Sequence, residues 1–166
     1  MVTVREAVPC DWQALRDIRL EALRTAPSAF GSSYEREAAF GERDWLRRIA
    51  RGGNFLAYLP EAGASEAGAS EPVGLIGGYP ETADVVELVS MYVRPKARGR
   101  AVGEALVAIV LGWAQERGAK TVHLWVTESN DHARALYQRC GFEPTGERQP
   151  LPSDPDQDEI AMAWPL

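Results

Sequence analysis

Arg98-Gly99-Arg100-Ala101-Val102-Gly103 lies between an apolar run, Val85 to Val93, and an amphipathic one. These residue types in this order suit the binding of a pyrophosphate. A strand that feeds a glycine-containing turn and then a helix leaves several backbone N–H groups unpaired at the helix start, where the macrodipole also favours an anion. Arg94, Lys96, Arg98 and Arg100 crowd cations around the same spot. The run is not a P-loop, because Gly103 is followed by Glu104 and Ala105 and not by Lys-Ser/Thr, and the three glycines of a dinucleotide fingerprint are missing. Taken alone, it also reads as an ordinary strand-glycine-helix junction with solvated arginines.

A second motif follows: Asn130-Asp131-His132-Ala133-Arg134-Ala135-Leu136-Tyr137-Gln138-Arg139-Cys140-Gly141-Phe142. Together the two resemble the GNAT N-acetyltransferase superfamily. That family carries an R/Q-x-x-G-x-G/A loop for the coenzyme A pyrophosphate and, about 27 residues on, an N-x-x-A-x-x-L-Y-x-x-x-G-F segment. Arg98, Gly103, Asn130, Ala133, Leu136, Tyr137, Gly141 and Phe142 match in order. The departure is Ala101, where the loop usually has its first glycine. A methyl group there costs little if the residue takes helical dihedrals, whereas a positive φ or close phosphate approach would weaken coenzyme binding.

The resemblance implies an α/β protein with the GNAT acyl-CoA N-acyltransferase fold: a mixed central sheet of about seven strands flanked by helices, with a splayed pair of central parallel strands. It implies a single domain over residues 1–166, with acetyl-CoA as cosubstrate. The implied activity is acetyl transfer to a primary amine of a small molecule or peptide, by direct attack in a ternary complex. A non-catalytic acyl-CoA-binding regulatory module of the same fold is the alternative.

Such transfer needs a placed thioester, a neutral amine, oxyanion stabilisation and a proton for the leaving thiolate. The resemblance gives the backbone of Met91 and Val93 to the pantetheine arm and acetyl carbonyl. It gives Arg98, Gly99, Arg100, Ala101, Val102 and Gly103 to the pyrophosphate. Glu87, six residues before Val93, matches a position used as general base in the histone-acetylating branch of the family. Its carboxylate would equally pair with an arginine or bind a substrate ammonium. Tyr137 matches the tyrosine that protonates the coenzyme A thiolate; a phenol of pKa about 10 keeps its proton at neutral pH and yields it to a thiolate of pKa about 8.5. Asn130 is a helix cap, a contact to the pantetheine amide, or both. Arg139 and Arg134 would reach the ribose phosphate or remain solvated. His123 reads as a satisfied core histidine, and Phe30, Tyr34 and Trp45 fall where the family builds its acceptor pocket.

The positioning elements follow from periodicity. Val2 to Val8 alternates as a short strand, and Pro9 and Asp11 offer a stop and a cap for a helix with Trp12, Leu15, Ile18 and Ala22 inward. Phe30 to Arg51 reads as broken helix with Gly41 as the break. Asn54 to Leu59 and Val73 to Tyr79 read as strands around a twice-repeated EAGAS loop, Glu61 to Ser70. Val85 to Val93 is expected as a strand buried on both faces, with Glu87 and Ser90 as polar exceptions. The helix from about Arg100 to Arg117 puts Leu106, Ile109, Val110 and Trp113 on one side before Gly118. Thr121 to Val126 is read as a strand parallel to the previous one, and Asn130 to Cys140 as a helix. Phe142 onward and Glu159 to Ala163 supply two last strands separated by a Pro/Asp-rich loop.

Composition bounds the function. The 166 residues allow a sizeable core, and 45% hydrophobic with 25% charged residues exclude a disordered or collagen-like chain. A net charge of −6 argues against a nucleic-acid partner, whose phosphates need a cationic face, and suits a cationic acceptor. No apolar stretch approaches the roughly 18 residues that span a bilayer, and no signal-like core follows Met1, so a cytoplasmic protein without a membrane partner is expected. Two cysteines without metal-ligand spacing point to neither a disulfide framework nor a metal. Monomer and homodimer are both compatible with the sequence.

Overall fold

The computed structural model describes residues 1–60 and 70–166. Seven strands, β1 (Thr3–Glu6), β2 (Asn54–Tyr58), β3 (Gly74–Pro80), β4 (Val85–Val93), β5 (Thr121–Thr127), β6 (Glu143–Leu151) and β7 (Asp154–Pro165), form one sheet. Their order is β1-β2-β3-β4-β5-β7-β6, with β4 and β5 the parallel pair and every other pairing antiparallel. Five helices complete the fold: α1 (Trp12–Thr25), α2 (Tyr34–Ala38), α3 (Glu42–Arg51), α4 (Val102–Glu116) and α5 (Asp131–Arg139). None of the described helices is long and apolar enough to cross a membrane.

Each face of the sheet has its own core. On one, Leu106, Val107 and Val110 of α4 and Tyr137 of α5 pack with Val86, Leu88, Val122, Leu124 and Met162. On the other, Leu15, Ile18 and Leu23 of α1 and Trp45 and Ile49 of α3 pack with Leu56, Leu75 and Tyr92. Val86 and Leu88 alternate onto the first face as a strand should, but so do Met91 and Val93, an odd step away. The change of parity has a visible cause. Between Leu75↔Tyr92 and Gly77↔Val89 the β3–β4 register slips, and Ser90 there has φ 62°, a left-handed conformation inside a strand. The extra residue is a β-bulge, which bends the strand and increases its local twist.

Three sequence expectations are corrected. Asp11 does not cap α1: its carboxylate accepts the Val8 N–H at 2.7 Å and the Arg5 guanidinium at 2.7 and 2.9 Å, turning the chain back after β1. The Pro/Asp-rich stretch before Glu159 is strand, because β6 and β7 meet at a tight turn, Pro152-Ser153, and pair from Leu151↔Asp154 onward. Proline is tolerated there because β6 is an edge strand and β7 has no β5 partner before Glu159. Helix α4 begins at Val102, two residues later than expected, because Gly99 and Ala101 are left-handed. Gly41, expected to break the helix, sits at the start of α3. The repeated EAGAS loop, Glu61 to Ser70, lies outside the described residues except for Ser70.

The helices over the second core are joined by a buried ion cluster. Arg19 donates from Nε and Nη2 to Glu37 at 3.0 and 2.9 Å, and Arg48 Nη1 donates to the same carboxylate at 3.1 Å. Arg19 is 7% exposed and Glu37 1%. Burial alone would raise the Glu37 pKa, but the hydrogen bonds and charge of Arg19, with Ser32 and Arg48, hold it at about 2. A carboxyl depressed in the folded state stabilises the fold above its ordinary range and loses that contribution as pH falls through this range towards 2. Glu37→Gln leaves the buried Arg19 and the half-buried Arg48 without their counter-ion, so it is expected to cost about 3 kcal/mol at pH 7. Urea unfolding at pH 7 and thermal melts down to pH 3 measure both effects, the variant's acid-induced loss being the shallower.

Candidate active site

The chain leaves β4 through a 3-10 turn, Pro95–Ala97, and reaches α4 by a loop with two left-handed residues, Gly99 at φ 76° and Ala101 at φ 61°, ψ 21°. Ala101 therefore takes the costly alternative foreseen for it, a methyl-bearing residue in a conformation that disfavours one by about 1–2 kcal/mol. The kinked path turns consecutive backbone N–H groups away from the chain. From Gly99 to Gly103 none finds an acceptor among the described residues. Successive free amides with left-handed residues between them form a concavity for an anion, here capped by the positive end of α4.

Gly103 matters for contact, not for φ. A Cβ there would stand 2.9 Å from Leu136 Cδ2 and 3.2 Å from Met91 Cε, so the bare glycine lets the start of α4 touch both α5 and β4. The anion concavity and the far half of β4 are thereby neighbours. Of the four cations expected around the loop, Arg94 is turned away, paired with Glu21 at 3.1 Å and Glu71 at 3.2 Å. Arg98 folds back so that Nε donates to the Val93 carbonyl at 3.3 Å. Arg100 and Lys96 are exposed and make no ion pair among the described residues. Arg139 bridges α5 to Glu104 on α4 at 3.1 Å, and Arg134 caps the Glu128 carbonyl at 3.0 Å, so neither is merely solvated.

Beside this concavity the sheet opens. The β4–β5 ladder has rungs at Val85↔Thr121, Val86↔Val122 and Glu87↔His123, and none after them. The Arg94 N–H donates to Val73 on the β3 side at 2.8 Å, and Tyr92 faces Leu75 of β3. Backbone groups alternate along a strand, so the N–H groups of Val93 and Met91 point the other way, into the gap that β5 has left. An unpaired strand edge of this kind takes an extended ligand as an added strand would be taken.

Glu87 and His123 sit on the last rung, where the opening begins. Burial raises the Glu87 pKa; nearby Glu81 and Glu159 raise it further, and His123 works in the opposite direction. The imidazole is not the satisfied core group expected: its Nδ1 is buried without a hydrogen-bond partner among the described residues, and its ring stands edge-on to Trp125 at 5.5 Å. Across the gap, Asn130 Oδ1 accepts the Ala133 N–H at 3.2 Å and so caps α5. One turn on, Tyr137 is 5% exposed, edge-on to Phe142 at 5.8 Å. Burial pushes its phenol well above the usual range, and the hydroxyl has no partner among the described residues. The phenol is therefore protonated at neutral pH but a weak acid, able to give up its proton only to a strong base formed against it.

A cavity of about 630 Å³ lies between the end of α1, α2 and the β6–β7 turn, lined by Arg24, Ser32, Tyr34, Glu35, Ser153 and Asp154 among others. Tyr34 belongs to it, whereas Phe30 and Trp45 are core. Arg19 and Glu37 carry no signal in the sequence, and Ser90 shows there only as a polar exception beside Glu87 in the strand, with no role attached. Among the described residues no cluster of histidine, cysteine and carboxylate side chains would hold a metal.

Residues 12–142 match the model of the acetyltransferase (GNAT) family. The putative bS18-alanine N-acetyltransferase of Bacillus subtilis is 26% identical over 152 residues, covering 90% of this chain and 93% of that protein. The aminoglycoside N(6′)-acetyltransferase type 1 of Stenotrophomonas maltophilia is 26% identical over 154 residues, covering 86% and 87%. An uncharacterized N-acetyltransferase of Methanocaldococcus jannaschii is 40% identical over 63 residues, and that match covers 38% of this chain and only 28% of the relative. Among solved structures, a putative acetyltransferase from Salmonella typhimurium with its cofactor acetyl-CoA superposes with a TM-score of 0.77 at 19% identity, covering 100% of this chain and 94% of that one. The PaiA N-acetyltransferase of Thermoplasma acidophilum in complex with coenzyme A gives 0.73 at 16%, covering 100% and 99%. With the matched residues spanning most of the chain and this fold beneath them, the protein belongs to the GNAT acetyltransferase family.

Proposed function

We propose that residues 1–166 act as a single-domain N-acetyltransferase that moves the acetyl group of acetyl-CoA to a primary amine by direct attack within a ternary complex. The observation that carries this reading is the contact of Met91 with the Gly103 turn. It sets the free Met91–Val93 strand edge against the row of free amides from Gly99 to Gly103. A ligand with an amide-bearing arm joined to a pyrophosphate needs these two features side by side. The two relatives matched over most of their length are a putative bS18-alanine N-acetyltransferase and an aminoglycoside N(6′)-acetyltransferase, and two of the matching folds were solved with acetyl-CoA or coenzyme A.

In this reading Gly99 to Gly103 donate to the pyrophosphate, and Arg98 and Arg100 supply charge. Met91 and Val93 hold the pantetheine arm, and Asn130 adds a contact while capping α5. Glu87 takes the proton from the attacking ammonium. The amine nitrogen then bonds to the acetyl carbon, the carbon–sulfur bond breaks as Tyr137 protonates the departing thiolate, and the second nitrogen proton returns to the Tyr137 phenolate, leaving a neutral amide and a protonated tyrosine. The burial that raises the Glu87 pKa makes it a better proton acceptor once ionised, and the burial of Tyr137 keeps its proton in place until a thiolate forms. The acceptor enters by the cavity at α2 and the β6–β7 turn, where Glu35 and Asp154 outnumber the one cationic lining residue, Arg24.

Release of coenzyme A from acetyl-CoA, followed with a thiol reagent across amines that include an alanine-initiated peptide and an aminoglycoside, tests the assignment. Tyr137→Phe is expected to lower kcat about 100-fold while leaving acetyl-CoA affinity within about twofold. Full activity in that variant removes Tyr137 from the reaction, and no turnover by the wild type with any acceptor favours a non-catalytic acyl-CoA-binding module. For Glu87, the base must be ionised, so kcat/KM rises with pH through an acid limb placed above the ordinary carboxylate range. Glu87→Gln is expected to abolish that limb, and an unchanged pH profile rules the base role out. Ala101→Gly relieves a left-handed alanine at the anion site, so it is expected to raise stability by about 0.5–1 kcal/mol and to tighten coenzyme A binding. Chemical unfolding and titration calorimetry read the two effects.

A further inference from the structure

Beyond Glu87 the strand β4 has lost β5, and its far half is held instead by one helix. Glu21 Oε2 on α1 accepts the Tyr92 hydroxyl at 2.9 Å and Arg94 Nε at 3.1 Å. Two residues earlier on the same helix, Arg19 Nη1 donates to Ser90 Oγ at 3.3 Å. Ser90 is the residue that most needs holding. It is a non-glycine residue at φ 62° in mid-strand, and such conformations persist only where their surroundings over-determine them.

Arg19 is fixed from every other side. Its Nε and Nη2 are engaged by Glu37, and its guanidinium lies 5.0 Å from the centre of the Phe30 ring. Nη1 is what remains, and it is directed to the bulge. A buried ion cluster contributes little net stability compared with apolar residues of the same size, so stability does not by itself account for an arginine here. A planar guanidinium bound on one side by a carboxylate does supply a rigid donor at a fixed place.

We propose that Arg19 is a positioning residue: acting through Ser90, it holds the β4 bulge, and with it the Met91–Val93 edge, in the geometry that receives the pantetheine arm and thioester. This rests on the acetyl-CoA reading given above. Arg19 touches neither ligand nor reacting atoms in this scheme. Its effect falls mainly on the β4 edge, because the amides of the Gly99–Gly103 turn are held by α4 and Leu136 as well as by Met91.

That division supplies the test. Titration calorimetry compares acetyl-CoA with 3′-phosphoadenosine 5′-diphosphate, which carries the pyrophosphate but no pantetheine. Ser90→Ala is expected to weaken acetyl-CoA about tenfold, as for loss of a hydrogen bond to a charged group, and to leave the pantetheine-free ligand unchanged. Ser90→Asn, which tolerates the left-handed conformation and offers an amide oxygen to Arg19, is expected to restore most of the affinity. In an Arg19→Met background, Ser90→Ala is expected to have no further effect. Equal loss for both ligands, unchanged acetyl-CoA affinity in Ser90→Ala, or additive effects of the two substitutions would overturn the proposal. A wild-type chain that binds neither ligand overturns the parent reading instead, which the two wild-type titrations show before any variant is made.

Discussion

The parallel ladder between β4 and β5 stops at Glu87–His123, and most of what is distinctive about the molecule follows from that stop. A central strand normally spends its N–H and C=O groups on two neighbours. Here a bulge at Ser90 turns β4 away from β5 while β3 stays paired, so one edge of an interior strand is left open. An edge inside the sheet cannot recruit a second sheet, as an outer edge would, because α4 packs against β4 and β5 on one face and α1 side chains reach β4 from the other. What fits is a narrow, extended ligand. The start of α4 lies at the same end of the strand, and its unpaired amides suit an anion at the end of that ligand.

The geometry carries a cost, and the cost is local. Ser90 and Ala101 are the described non-glycine residues with positive φ, and they stand at the two turning points of the cleft, the bulge and the start of α4. Strain of about 1–3 kcal/mol at each is sustained only by firm surroundings. At Ser90 these are Arg19 and the Glu21 contacts to Tyr92 and Arg94. At Ala101 they are the packing of Gly103 against Met91 and Leu136. The same helix that braces the bulge is tied through Glu37 to α2, whose Tyr34 and Glu35 line the neighbouring cavity. The two sides of the cleft thus share one rigid frame.

Much of the cleft was legible in the sequence because its motifs encode backbone needs. The order Arg98 to Gly103 marked a turn into a helix, and Asn130 to Phe142 marked a capped helix ending at a glycine with φ 102°. The sheet with its parallel pair also followed from the apolar run Val85–Val93 and the strand-helix-strand pattern after it. The bulge did not, since a serine with positive φ has no signature of its own and its partner Arg19 lies far away in the chain. The Arg19–Glu37–Arg48 cluster was hidden for a similar reason: each member, read locally, is an unremarkable charged residue on an amphipathic helix. His123 was misjudged because its environment depends on where β4 departs, and the prolines of β6 misled because a proline reads as a loop until the strand is known to be an edge.

The claim that joins these features is that the open β4 edge and the Gly99–Gly103 amides form one site for an acyl-coenzyme A. Thermal unfolding with saturating acetyl-CoA, coenzyme A, NAD and ATP addresses it directly, because a ligand at 100 times its Kd adds about 2.7 kcal/mol to the stability of the folded state. A raised Tm is expected with acetyl-CoA and coenzyme A and none with NAD or ATP. An equal rise with all four would reduce the site to a general phosphate cradle, and no rise with either coenzyme A form would rule out an acyl-coenzyme A site here.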